Sequence, residues 1–173
     1  CLTFRFTSDG SVTYTGWAAT ISCVACGGGG GGCLPNMGNC SDVACSGNFY
    51  DSGGAGGDYA NGLNLTHTIC GTPGNCVRVA FSSFQLESGF DYLYIYDGPN
   101  TGSPLIGTYT GTTSPGTITS TSGCLTFRFT TDGSVVYSGW AATISCVPCG
   151  GGPCLPNIGN CTANVCSGNF YDS

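Results

Sequence analysis

The sequence predicts an all-β protein made of repeated antiparallel sandwiches, and three observations carry that expectation. No stretch places apolar residues at helical spacing. Short runs instead alternate apolar and polar side chains between turns rich in Gly, Asn, Asp and Pro. The pattern also recurs along the chain, so one fold is being used more than once.

The recurrence sets the organisation. "CLTFRFTSDGSVTYTGWAATISC" (1–23) returns as "CLTFRFTTDGSVVYSGWAATISC" (124–146), and "CSGNFYDS" at 45–52 returns unchanged at 166–173. Residues 1–23 therefore read as the closing hairpin of one repeat, and 24–44 as a Cys/Gly connector. Residues 45–146 read as one complete repeat, 147–165 as a second connector and 166–173 as the head of the next repeat. The expectation is an excerpt from a longer tandem array, with half-domains completed by neighbouring chains as the alternative.

Within the complete repeat, "VRVAF" puts Val77, Val79 and Phe81 on one face and Arg78 on the other. In "DYLYIYDG", Leu93 and Ile95 alternate with Tyr92, Tyr94 and Tyr96. "LTFRF" directs Leu125, Phe127 and Phe129 inward and Arg128 outward. Strands of this kind bury one face each, and a second sheet must cover it. The tyrosine stripe has two readings: a covering for the outer face of its own sheet, or a contact patch for a neighbouring repeat.

Composition excludes several functions. The chain has three arginines, no lysine and nine acids, for a net charge of −6. It cannot neutralise a nucleic-acid backbone or grip an anionic membrane, and no apolar run reaches the length of a bilayer span. Fourteen cysteines in a chain rich in Gly, Ser, Thr and Asn point to an oxidising, extracellular or cell-surface setting. The triplets at Asn39, Asn64 and Asn160 are glycosylation acceptors if the host glycosylates. His67 is the only histidine and lies in a strand-like run, so no acid–base or nucleophilic apparatus is expected, and the chain reads as no enzyme.

Each period holds eight cysteines, an even number. Cys70 and Cys76 flank the short turn "GTPGN", which favours a local bridge. Cys124 and Cys146 bracket a segment read as a hairpin, which places them opposite each other, with Cys1–Cys23 as the same pair in the previous copy. The connector cysteines allow three connectivities. Proximity favours Cys26–Cys33 and Cys40–Cys45, repeated as Cys149–Cys154 and Cys161–Cys166, with bonds between chains left open. A zinc–thiolate connector is the runner-up, disfavoured by the oxidising setting. On this pairing "CGGGGGGC" (26–33) is a glycine side loop pinched shut at its neck.

The run "FSSFQLESGFDYLYIYDGPNTGSPLIGTYTG", followed by "GCLTFRFTTDGSVVYSGW", resembles the CUB domain, in the form found as repeats in bacterial surface proteins. The resemblance runs from "NFYDSGG" at 48 to Cys146 and implies a jelly-roll-like β-sandwich. It also implies one bound Ca2+. The family's acidic positions fall on Glu87, Asp91 and Asp132, with Ser134 and the Val135 carbonyl as further ligands and Asp9 and Ser11 in the previous copy. The loop between the first two acids is shorter than the usual pattern and lacks a cysteine before Asp91. Without a cation, Asp132-Gly133 is a plain turn and Asp91 a strand cap. The functional expectation is a non-catalytic structural repeat of an extracellular filament or giant surface protein, whose partners are its own neighbouring copies. The alternative is an adhesin module that binds protein or glycan through its loops.

Overall fold

The computed structural model describes residues 32–149 in full and, beyond them, the backbone of two strands, 18–22 and 167–171. The described residues form eleven strands: β1 (Ala18–Ser22), β2 (Cys40–Val43), β3 (Ser46–Tyr50), β4 (Asn64–Cys70), β5 (Asn75–Gln85), β6 (Tyr92–Asp97), β7 (Leu105–Tyr109), β8 (Thr117–Thr119), β9 (Cys124–Thr130), β10 (Gly139–Pro148) and β11 (Ser167–Tyr171). Nine of them build a sandwich of a four-stranded sheet, β3-β10-β5-β8, and a five-stranded sheet, β2-β4-β9-β6-β7. All pairings are antiparallel except β2 with β4.

Alternation along the strands decides what faces inward. Val77 and Val79 on β5, Leu93 and Ile95 on β6, and Leu125, Phe127 and Phe129 on β9 are all fully buried, as the period-two pattern predicts. Arg78 is exposed and Arg128 half-buried. Trp140 fills the middle of the core, with its ring centroid 5.0 Å from Phe129 and 5.7 Å from Phe49. A bulge keeps β5 in step with this core. Ala141 pairs with Ser83 but Ala142 with Phe81, so Ser82 is the extra residue, and Phe84 turns inward again beyond it.

The fold corrects two readings of the sequence. β9 and β10 do not form a hairpin: they lie in different sheets, and so do β4 and β5. Cys124 therefore cannot face Cys146, nor Cys70 face Cys76. Each cysteine bonds within its own sheet: Cys70–Cys124 ties the paired ends of β4 and β9, and Cys45–Cys146 ties the start of β3 to β10. The other described bonds are Cys33–Cys40 and Cys76–Cys149, so Cys26–Cys33, Cys40–Cys45 and Cys149–Cys154 are replaced. Cys1–Cys23 and Cys161–Cys166 lie outside the described residues. All eight cysteines of the period from Cys33 to Cys149 pair with one another.

The second correction concerns the connector. Residues 33–44 are part of the sandwich: β2 extends the five-stranded sheet, and Met37 is buried in the core. The Met37 amide donates to the Tyr50 carbonyl at 2.8 Å, and the Tyr50 amide to the Pro35 carbonyl at 2.7 Å. Because Cys33 bonds Cys40, the Cys26–Cys33 staple expected at the neck of the glycine tract is replaced.

β1 and β11 form a separate two-stranded ribbon. Its register runs from Ala18 opposite Tyr171 to Ser22 opposite Ser167, matching Ala141 opposite Tyr50 to Ser145 opposite Ser46 in β10 and β3. The ribbon thus pairs the same residue types in the same register as β10 and β3.

Candidate cation site at one end of the sandwich

Two loops converge at one end of the sandwich, the turn joining β5 to β6 and the loop after β9. The chain leaves β5 at Gln85, turns tightly through Ser88-Gly89-Phe90 and enters β6 at Tyr92. The Asp91 amide donates to the Glu87 carbonyl at 3.1 Å, closing that turn. Gly89 takes φ 82°, a left-handed conformation that glycine adopts without strain. The loop after β9 brings Asp132 alongside, and its amide donates to Asp91 Oδ1 at 3.0 Å.

The result is a trio of carboxylates. One oxygen each from Glu87, Asp91 and Asp132 lies within 4.8 Å of the others. Asp91 is fully buried, and its second oxygen accepts the Tyr59 hydroxyl at 2.6 Å. Tyr59 Oη in turn accepts the Glu87 amide at 3.0 Å, so one phenol fixes two acids. Burial and the bond to Asp91 push the Tyr59 hydroxyl far above its ordinary range, keeping it a donor. Burial, then the charges of Asp132 and Asp91, raise the Glu87 pKa above the usual carboxylate value.

The residues fit a hard cation. Glu87 Oε2 is buried and has no hydrogen-bond partner, which is costly for a carboxylate oxygen. Among the described residues, the cationic side chains are engaged elsewhere: Arg78 donates to Thr119, Arg128 to Asn64, and His67 contacts Asp42. Three carboxylates without a counter-charge among the described residues suit an ion that takes oxygen ligands. Of the other expected ligands, Ser134 follows Asp132 and donates its amide to Asp132 Oδ1 at 2.9 Å. Val135 adopts φ 57° and is exposed. Asp9 and Ser11 lie outside the described residues.

The other candidates have local roles. Tyr92, Tyr94 and Tyr96 are half-buried on the outer face of the five-stranded sheet. Tyr92 donates to the Gly89 carbonyl at 2.8 Å, and the Arg128 guanidinium lies 5.7 Å from the Tyr94 ring centre. Asn39 and Asn64 are exposed, though their side-chain oxygens accept from Thr66 and Arg128. Asn160 lies outside the described residues.

Sequence reasoning missed three residues. Tyr59 sits in the glycine-rich run "GGAGGDYANG", where no periodicity marks an inward residue. Asp51 is buried, and its carboxylate accepts the amides of Gly53 at 2.7 Å and Trp140 at 3.0 Å. Asp42 accepts the amides of Cys33 and Leu34 and meets His67 Nε2 at 2.8 Å, tying the 33–40 loop to β4. Cys40 lies beside that pair, but its sulfur is in a disulfide and offers no thiolate.

Together these features define a disulfide-locked, two-sheet β-sandwich module with an acidic loop cluster at one end. The CUB domain model matches residues 42–144, and the chain belongs to that family. Mouse Tolloid-like protein 2 is 30% identical over 124 residues, covering 69% of this chain and 12% of that protein. Pig cubilin is 33% identical over 104 residues, covering 55% of this chain and 3% of that protein. The chain therefore spans a small part of these much longer relatives. Among solved structures, a MASP-1 CUB2 domain determined with Ca2+ bound superposes with a TM-score of 0.54 at 23% identity, over 63% of this chain and 98% of that one. CUB domains are modules of extracellular proteins, and the disulfides fit that setting.

Proposed function

We propose that the chain is part of a non-catalytic structural array, in an extracellular filament or giant cell-surface protein, in which each repeat is braced by disulfides and one Ca2+. The observation that carries this reading is the closure of the cysteines. All eight from Cys33 to Cys149 bond within a single period, so each repeat is a self-contained covalent unit that can be copied in series. Near-identical copies of the 1–23 and 124–146 segments support the same view.

Glu87, Asp91 and Asp132 would hold the Ca2+, with Ser134 and the Val135 carbonyl completing the set; the MASP-1 domain of the same fold carries this ion. When bound, the cation supplies the positive charge that the three carboxylates lack, pinning the β5–β6 turn to the loop after β9. The outer face bearing Tyr92, Tyr94 and Tyr96, with Leu105 and Ile106 exposed on β7, is the contact surface for neighbouring repeats.

One observation favours the second reading, a recognition module for protein or glycan. Phe90 in the acidic turn is 59% exposed, and Val135 beside Asp132 is 48% exposed, so apolar groups flank the cluster. Electron microscopy of native material separates the two. Repeats in regular lateral contact along a filament are expected; isolated beads on a string would favour recognition.

A further inference from the structure

Resting on that array reading, we propose that each repeat is a tension-bearing link in which most of the β-sandwich, residues 46–145, lies off the load path, because Cys45–Cys146 short-circuits it. In an array, tension enters a repeat from the glycine tract before Cys33 and leaves after Cys149. The Cys33–Cys40 bond carries it past residues 34–39. It then follows the backbone from Cys40 to Cys45, crosses to Cys146 and leaves through Val147, Pro148 and Cys149. The Cα atoms of Cys45 and Cys146 are 4.8 Å apart although 101 positions separate them in sequence. Residues 46–145, which contain most of the core and the whole carboxylate trio, form a covalent loop hanging from this path.

The location of the bond explains its use. β3 and β10 are antiparallel, and Ser46 faces Ser145 immediately beyond the bridge. Without the disulfide, tension on residues 45 and 146 would pull two adjacent strand ends apart. The ladder would then open one pair at a time, the weakest way to load it. The covalent bond sits at the point where that unzipping would start. Behind it stands a second route, Cys76–Cys149, and behind that Cys70–Cys124, so losing one bond hands the load to the next.

Repeat comparison extends the scheme across the connector. Cys26 stands where Cys149 stands, and Cys33 where Cys154 stands. The tracts "GGGGGG" (27–32) and "GGGP" (150–153) thus run between a cysteine of one repeat and a cysteine of the next. The domains between these tracts keep a fixed covalent length.

Single-molecule pulling on the 173-residue chain, held by its two ends, tests the proposal. The unreduced chain is expected to show no event that releases the Cys45–Cys146 loop. Once dithiothreitol has reduced Cys45–Cys146 together with Cys76–Cys149 and Cys70–Cys124, one should appear, of roughly 33 nm for about 101 residues at full extension. In the unreduced Cys45→Ser, Cys146→Ser variant the load passes to Cys76–Cys149. The event should then shrink to roughly 10 nm, since only about 31 residues are freed. A 33 nm event in the unreduced wild-type chain overturns the proposal, and so does peptide mapping that returns partners other than Cys45–Cys146. If the double variant does not fold, the wild-type arms decide alone. Native material without serial repeats would overturn the array reading but leave the pulling result standing.

Discussion

Glu87 carries the clearest consequence at the scale of single residues. Its raised pKa means that the folded apo protein resists ionising it, so apo stability falls as pH rises through the Glu87 range and is regained as pH drops. Ca2+ bound at the proposed site would reverse the sign, because the ion favours the charged form. Calorimetric titrations at several pH values should therefore show Ca2+ affinity falling as Glu87 protonates. Glu87→Gln should leave the apo melting temperature unchanged or higher while removing most of the Ca2+-induced rise. A Ca2+ response equal to wild type would show that the trio is not the site. His67 gives an independent pH effect. Burial, only partly offset by Asp42, lowers its pKa below the ordinary 6.5. The unfolded chain then binds this proton more readily, so stability is full above about pH 6.5 and declines as pH falls below it. Thermal melts of His67→Gln should lose that part of the acid slope. Tyr59→Phe would leave Asp91 without its hydroxyl donor, at a cost of about 1–3 kcal/mol in chemical denaturation.

Strands and turns show what the sequence could and could not convey. The inward residues of β5, β6 and β9 follow from alternation alone, because a pleated strand has no other way to bury Val77, Leu93 or Phe127. The acid trio was recognisable only through the family resemblance, since Glu87 and Asp132 are far apart in the chain and share no local pattern. Disulfides were misread for a physical reason. Proximity in sequence implies proximity in space only while the chain stays in one sheet, and the chain crosses between sheets after both β4 and β9. Gly139 is a further feature of an element boundary. It has φ 63°, and a Cβ there would overlap the Asp51 carboxylate that holds the Trp140 amide. Gly139→Ala should therefore cost about 2–4 kcal/mol, from left-handed strain plus the disturbed buried acid. Denaturant melts would measure this, and Gly133→Ala, where a Cβ meets nothing, is the control.

For the molecule as a whole, the covalent net determines stability as well as mechanics. Cys70–Cys124 closes a loop with a sequence separation of 54, and removing a native disulfide from a small extracellular domain typically costs about 2–5 kcal/mol. The Cys70→Ala, Cys124→Ala variant should melt at a lower temperature by a corresponding amount, with unfolding still cooperative. The β1–β11 ribbon has a consequence for how such a protein is made. A strand that pairs equally well with its own repeat or with the next cannot distinguish the two during folding, and near-identical neighbours are prone to exchange strands. Order of emergence offers a remedy. A repeat that closes its Cys45–Cys146 bond before its successor emerges has withdrawn β3 and β10 from the exchange. In the proposed array, the rate of disulfide formation, relative to the rate at which the chain is exported, would then decide whether the repeats are built in series or tangled.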